Sequence, residues 1–274
     1  MLFKLFSLLN IDICENFVMP VINTNRRLSD KSLSDEKNSF SFENPPPVKN
    51  YPLYCWRIFV KLLSFVLFGL GTILISIVAF PIMKLFFWKK ERFRKAGHHF
   101  ISVMFRFFVL FMKVIRGSTL TAKDKRKFRS LKSSIVVANH PSLLDVVMLI
   151  SLIPDADCIV NSYLVGKNIV HLIASNLYIP TSLHYDEIME KCISSLSSGS
   201  NLIIFPEGTR SRTGELMQFY SAGFRRLSQE AHLPVAVCAL DGGFKLSKVD
   251  SFVRNLKRGA YRVKVLQVFD APNT

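Results

Sequence analysis

The sequence predicts an α/β fold, a mixed sheet covered by helices, preceded by an N-terminal membrane helix or helical hairpin. Three observations predict it. Short apolar strand candidates alternate with helical stretches from Gly117 onward. An uncharged run of 22 residues lies between Lys61 and Lys84. Apolar residues make up 49% of the 274-residue chain, and its mean hydropathy of +0.26 is high for a soluble protein.

The elements follow in order. Asn25–Asn50 is rich in Ser, Asp, Lys and Pro and has too little apolar surface to offset the entropy of ordering, so residues 1–50 are expected to be a mobile tail. The first twenty residues carry one basic residue, Lys4, and no clear small-residue cleavage site, a poor match to a signal peptide. Residues 51–116 read as a membrane-spanning or interfacial helical region. Their uncharged run, LLSFVLFGLGTILISIVAFPIM, is long enough to cross a bilayer, although Gly69, Gly71 and Pro81 could bend it into a re-entrant shape. Lys84, Lys89, Lys90, Arg92, Arg94 and Lys95 follow it, against Lys49, Arg57 and Lys61 before it. That excess places the C-terminal part on the cytoplasmic face, with the inner membrane as the expected location. The next apolar piece, HFISVMFRFFVLFMKVIRG, contains Arg106, Lys113 and Arg116. It suits a helix lying at the interface with its basic side chains reaching head groups, and His98 and His99 would sit nearby. Packing on a globular domain is the alternative.

Residues 117–274 form the α/β domain. GSTLT leads to a basic run, KDKRKFRSLK, that could touch anionic lipid or be solvated. Strand candidates SSIVVA, DCIVN, LIIF, VAVCAL and YRVKVLQVF follow, separated by helical stretches at Leu143–Leu152, Tyr185–Ser197 and Ala222–Ala231. The five scattered cysteines suggest neither a metal site nor a disulfide framework and read as reduced, mostly buried thiols. A net charge of +16 favours a polyanion, either an anionic bilayer or nucleic acid. Many of the 24 Phe residues lie in the apolar region and not among basic residues as stacking platforms, so no nucleic-acid partner is expected.

The stretch VVANHPSLLD puts His140 just beyond a strand, with Asp145 five residues on. On one continuous helix the two would stand roughly 140° apart. They can meet only if His140 precedes the helix and the chain turns at Pro141. Such a pair could be a general base with its orienting carboxylate. Equally, Ser142-Leu-Leu-Asp145 fits a capping box in which Asp145 serves helix amides. The second constellation is NLIIFPEGTRSRTGE, a strand opening into a charged, glycine-containing turn. Arg210 and Arg212 could grip a phosphate in bidentate fashion. Glu207 could accept a hydrogen bond from a substrate hydroxyl or hold an arginine; a solvated turn after an interior strand is the plain alternative.

Together, Asn139-His-Pro-Ser-Leu-Leu-Asp145 and Phe205-Pro-Glu-Gly-Thr-Arg210 resemble the paired signatures of the glycerophospholipid acyltransferase family, which includes 1-acylglycerol-3-phosphate acyltransferases. Leu233-Pro234-Val235 is similar to the family's late proline-containing strand, and Phe68-Gly-Leu-Gly71 resembles the membrane stretch of bacterial lysophospholipid-acyltransferase-like proteins. The resemblance covers the chain from about Gly117 onward. It implies a membrane-bound enzyme moving an acyl group from acyl-coenzyme A or acyl carrier protein to a lysolipid hydroxyl, with no bound cofactor and no metal. His140 would be the general base, Asp145 its orienting partner and Ser142 a helix cap. Glu207, Gly208, Thr209 and Arg210 would shape the acceptor pocket, with Arg210 the leading phosphate contact and Arg212 beside it. The implied partners are the anionic phospholipid bilayer, the lysolipid and, for one donor class, acyl carrier protein. The chain departs from the family at its middle motif, where Ser175 and Thr181 stand for a glycine and an arginine. Arg210, Arg212, Lys167 and Lys245 are candidates to supply that charge, and a non-glycerophosphate acceptor stays open, as does a non-catalytic protein that binds anionic lipid.

Overall fold

A computed structural model describes residues 51–115, 118–123, 125–142, 144–160, 177–211, 216–243 and 259–271. The tail expected over 1–50 lies outside these, as do Arg212, Lys167, Lys245 and Ser175.

The uncharged run folds within one long helix. α1 (Tyr51–Leu74) passes through a π-turn, Ile75–Ala79, into α2 (Phe80–Phe86). Pro81 accounts for the turn. It has no N–H for the carbonyl four residues back, and its ring would strike that carbonyl. The backbone widens just before it, and the Phe80 N–H donates to the Ile75 carbonyl, five residues earlier. The hydroxyls of the run are satisfied internally: Ser64 donates to Val60 O at 2.7 Å, and Thr72 to Phe68 O and Ser76 to Thr72 O at 2.8 Å each. α3 (Lys90–Val114) returns alongside. Phe68 packs on Phe105 and Phe108, and Phe80 on Phe93, so the pairs run in opposite directions and the helices form an antiparallel hairpin. Leu62, Leu70, Leu74, Ile77, Leu85 and Phe86 leave its outer side apolar and exposed. Both long helical segments, 51–86 and 90–114, are long and apolar enough to cross a membrane.

The inner side of α3 is a polar ridge in which Arg94, His98, Ser102 and Arg106 recur every four residues. It docks on the α/β domain. Ser102 Oγ donates to Ile150 O at 2.8 Å and Arg106 Nε to Ser151 O at 3.0 Å. Those carbonyls belong to the last turn of α5 (Asp145–Leu152), which has no helical partners of its own for them. Arg94 bonds Asp157 at 2.7 Å and also Ser195. His98, fully buried, faces Asp155 Oδ1 through Nδ1 and Leu177 O through Nε2, both at 2.9 Å. This corrects the sequence reading of α3: Arg106 caps a helix instead of reaching head groups, His98 lies in the interior, and Arg94 is turned to the domain. The reason is that buried α5 and the adjoining strand end need donors. Burial works to raise the Asp155 carboxyl, but His98, Ser200 and Lys95 outweigh it and hold it below the usual range. Burial raises Asp157 despite the opposing pull of His98, Arg94 and Ser195.

The domain continues with β1 (Ser118–Ala122), α4 (Lys125–Ser130) and β2 (Ile135–Ala138) before α5, then β3 (Ala156–Val160), β4 (Ile179–Pro180), α6 (Tyr185–Ser197), β5 (Asn201–Ile204), α7 (Ser221–Ala231), β6 (Val235–Asp241) and β7 (Gly259–Phe269). The strands form one mixed sheet in the order β1-β7-β6-β2-β5-β3-β4, parallel throughout except for the β6–β7 pair. Alternation along β2 and β5 feeds two cores. Val136, Ala138 and Ile203 face α5, while Ile135, Leu202 and Ile204 face α6 and α7. The basic run after β1 is α4, seated by fully buried Phe128. β5 lies between β2 and β3, so the helix after β2 covers one sheet face and the helix after β5 the other. The carboxyl ends of β2 and β5 therefore form a topological switch point, where open α/β sheets leave a crevice for ligands.

Arg94→Met strands Asp157 without its cation and should cost about 3 kcal/mol, whereas Lys113→Met, on the exposed side of α3, should change stability by less than about 0.5 kcal/mol. Urea unfolding of the detergent-solubilised chain separates the two.

Candidate active site

Both sequence constellations arrive at the switch point. His140 follows β2 by two residues, and the 205–211 turn follows β5. The backbone of His140 is held from both ends by that turn: its N–H donates to Glu207 Oε1 at 2.9 Å, and its carbonyl accepts from Ser211 N at 2.9 Å. On the other flank Asn139 mimics a strand residue, donating from Nδ2 to Leu240 O at 2.9 Å and accepting from Leu240 N at 2.8 Å. The imidazole stacks on Phe205, with centroids 4.2 Å apart and an interplanar angle of 21°.

Asp145 opens α5 and is fully buried. Its Oδ2 lies 2.6 Å from His140 Nδ1 and accepts from Ser142 N at 2.7 Å, while Oδ1 accepts from Ser142 Oγ at 2.6 Å. Ser142 Oγ also accepts from Leu144 N at 3.1 Å. The expected capping box is only half formed, since Ser142 Oγ takes the Leu144 amide and not that of Asp145, but the carboxylate that accepts both Ser142 donors also holds the histidine. The chain turns at Pro141 ahead of the helix, the condition for the two to meet. Burial pushes the Asp145 carboxyl above its usual range, against the opposing effects of His140 and Ser142. Nδ1 facing a carboxylate fixes the neutral ring with its proton there, leaving Nε2 as the acceptor. The His140 side chain is 18% exposed.

Glu207 is buried, and its second oxygen, Oε2, accepts from Met217 N at 3.4 Å. Gly208 sits at φ 68°, the left-handed region that glycine enters without strain, and its N–H donates to Phe205 O to close the turn. Thr209 and Arg210 are half-buried on the same turn. Thr181 lies just beyond β4, its N–H bonded to Val160 O. Sequence reasoning named both motifs but missed the Phe205 stack, the Asn139 bridge and the grip of Glu207 and Ser211 on His140. Only the neighbour relations of the strands reveal these. The four described cysteines are free. Burial lifts the Cys192 and Cys238 thiols to about 12, too high for a ready nucleophile. Among the described residues no three His, Cys, Asp or Glu side chains gather as a metal set.

Both the sequence and the fold resemble those of known proteins. Residues 119–241 match the Acyltransferase family model. The chain is 30% identical to a 1-acyl-sn-glycerol-3-phosphate acyltransferase of Cocos nucifera over 47% of this chain and 43% of that protein. It is 24% identical to the chloroplastic 1-acyl-sn-glycerol-3-phosphate acyltransferase BAT2 of Brassica napus, over 65% and 51%. The chain thus spans about half the length of the curated relatives it matches. The crystal structure of the 1-acyl-sn-glycerophosphate acyltransferase PlsC from Thermotoga maritima shares the fold, with a TM-score of 0.57 and 19% identity over 82% of this chain and 88% of that one. The family match rests on the 119–241 segment, which contains both the His140–Asp145 pair and the 205–211 turn.

Glu207→Ala leaves the buried amide of His140 without its acceptor and should lower stability by about 2 kcal/mol. Glu207→Gln, which retains one oxygen for that amide, should lose less than half as much by thermal unfolding.

Proposed function

We propose that this protein is a membrane-associated O-acyltransferase that moves a fatty acyl group from a thioester, acyl-coenzyme A or acyl carrier protein, to the hydroxyl of a lysolipid. The observation that carries the reading is the 2.6 Å His140 Nδ1–Asp145 contact at the switch point, with Nε2 on the substrate side. Nε2 removes the hydroxyl proton as the acceptor oxygen attacks the thioester carbonyl, and Asp145 steadies the imidazolium that forms. Collapse of the tetrahedral intermediate breaks the carbon–sulfur bond, and the imidazolium returns the proton to the departing thiolate. Ester and free thiol result, with no covalent enzyme intermediate. Arg210 is the leading contact for an acceptor phosphate, joined by Arg212. Gly208 and Thr209 line that pocket, and Glu207 shapes it through its hold on the His140 loop. The names of the relatives favour 1-acylglycerol-3-phosphate as acceptor. Thr181, where the family's middle motif has an arginine, favours testing acceptors without phosphate beside it.

The hairpin supplies the membrane contact. α3 is bonded to the domain from Arg94 to Arg106, which keeps that stretch out of the bilayer core, and α1 lies against α3. The exposed apolar side of α1 and α2 is placed to lie in a leaflet, with Phe86 and Trp88 beside Lys89, Lys90 and Arg92 at head-group level. This favours a surface-seated hairpin over a span and an anionic bilayer as partner. The inner membrane, with the domain on the cytoplasmic face, fits reduced thiols and the basic tip.

Membranes carrying the wild type should acylate a lysolipid from labelled acyl-coenzyme A or acyl carrier protein. His140→Ala should lower the rate at least about 10²-fold, and Arg210→Ala should raise KM for a phosphate-bearing acceptor about tenfold. Full activity of His140→Ala at matched expression would refute the reading.

A further inference from the structure

Tyr261 sits on β7, more than a hundred residues from the pair and belonging to neither motif, yet it is fully buried with its hydroxyl 3.0 Å from Ser142 Oγ. The proton directions in this cluster are fixed by counting. An ionised Asp145 can only accept, so the single proton of Ser142 must point at Asp145 Oδ1, 2.6 Å away. The Leu144 amide brings its own proton to Ser142 Oγ. The Tyr261 phenol must therefore donate to Ser142, because the reverse direction would set the Ser142 lone pairs against the carboxylate.

Gly243 closes this contact. A Cβ there would lie 2.8 Å from Tyr261 Cε2 and 2.9 Å from Ser142 Cβ, so bare backbone is pressed across the junction of the two side chains. On the opposite side Glu207 holds the His140 backbone, leaving Asp145 as the acidic group bonded to the ring itself.

We propose that Tyr261 is a positioning residue for the base: through Ser142 it fixes both oxygens of Asp145, and so sets the orientation and basicity of the His140 ring. The inference rests on the reading of His140 and Asp145 as the catalytic pair. Donation runs one way, Tyr261 to Ser142 to Asp145, and each bond polarises the next. Without the phenol, Ser142 donates less strongly and Asp145 keeps more charge for the imidazolium.

The test is ring-nitrogen NMR of the full chain, labelled at histidine and held in detergent micelles, with His140→Ala assigning the signal. Tyr261→Phe keeps the ring volume and removes only the hydroxyl. The His140 titration midpoint should move up by roughly 0.2–0.5 pH unit. Ser142→Ala should move it further in the same direction, and the double variant no further than Ser142→Ala alone. Gly243→Ala, which parts the two side chains without removing a polar atom, should shift it upward as well, so the proposal stays testable if one variant misfolds. An unchanged midpoint in Tyr261→Phe, or effects that add in the double variant, overturns it. Transfer from palmitoyl-coenzyme A to lysophosphatidic acid separates the two levels. A fully active His140→Ala sinks the catalytic reading, whereas an inactive His140→Ala with an unmoved Tyr261→Phe midpoint sinks the positioning role alone.

Discussion

Two hydrogen bonds to the backbone of a single residue join the halves of the candidate site. Glu207 accepts the His140 N–H and Ser211 donates to the His140 carbonyl, so the turn after β5 grips the loop after β2 from both ends. Neither bond involves the imidazole, which stays available. A buried carboxylate spent on backbone amides is costly unless every lone pair has work, and the Met217 amide supplies a further donor. With the loop fixed there, and by Asn139 against β6, the ring has little choice but to lie on Phe205 and point Nδ1 at Asp145.

The carboxylate is positioned from the other direction. α5 is buried along nearly its whole length, so its ends are the costly places. At the N-terminal end Ser142 donates to both carboxylate oxygens of Asp145, and His140 joins them. At the far end Ser102 and Arg106 of α3 donate to the last carbonyls. The helix that presents the acid is thus held at both termini by side chains, and the same ridge on α3 fastens the hairpin to the domain through Arg94 and His98.

The sequence showed much of this because some of the physics is local. His140 and Asp145 are five residues apart, and Pro141 between them limits the geometry to the one that was needed. IVVA and LIIF read as unbroken apolar runs, and they mark the strands covered on both faces. In β7, by contrast, Tyr261, Val263 and Val265 alternate with exposed Arg262, Lys264 and Leu266, and helices cover one side. What could not be read depended on which strands become neighbours. The burial of Glu207 follows from β5 settling beside β2, although 63 residues separate Ala138 from Asn201. β4 has two paired residues and ends on a proline, too little to register as a strand. α4 was hidden because its basic surface outweighs Phe128, its single buried side chain. The ridge on α3 was present as a spacing of four, but the charges within an apolar helix pointed to lipid, and only the bare carbonyls of α5 show where they are used.

The bracing of α5 has a mechanical consequence. Eight residues of helix make a rod about 12 Å long, with Asp145 at one end and the hairpin clamped to the other. Such a rod transmits height and absorbs little of it. Whatever surface the hairpin settles upon, the depth to which its exposed leucines and phenylalanines sink also fixes how far above that surface the His140 ring is carried. Under the proposed function the hairpin would be a depth gauge as much as an anchor, and the thickness of the layer that receives it would help determine which hydroxyl the ring can reach.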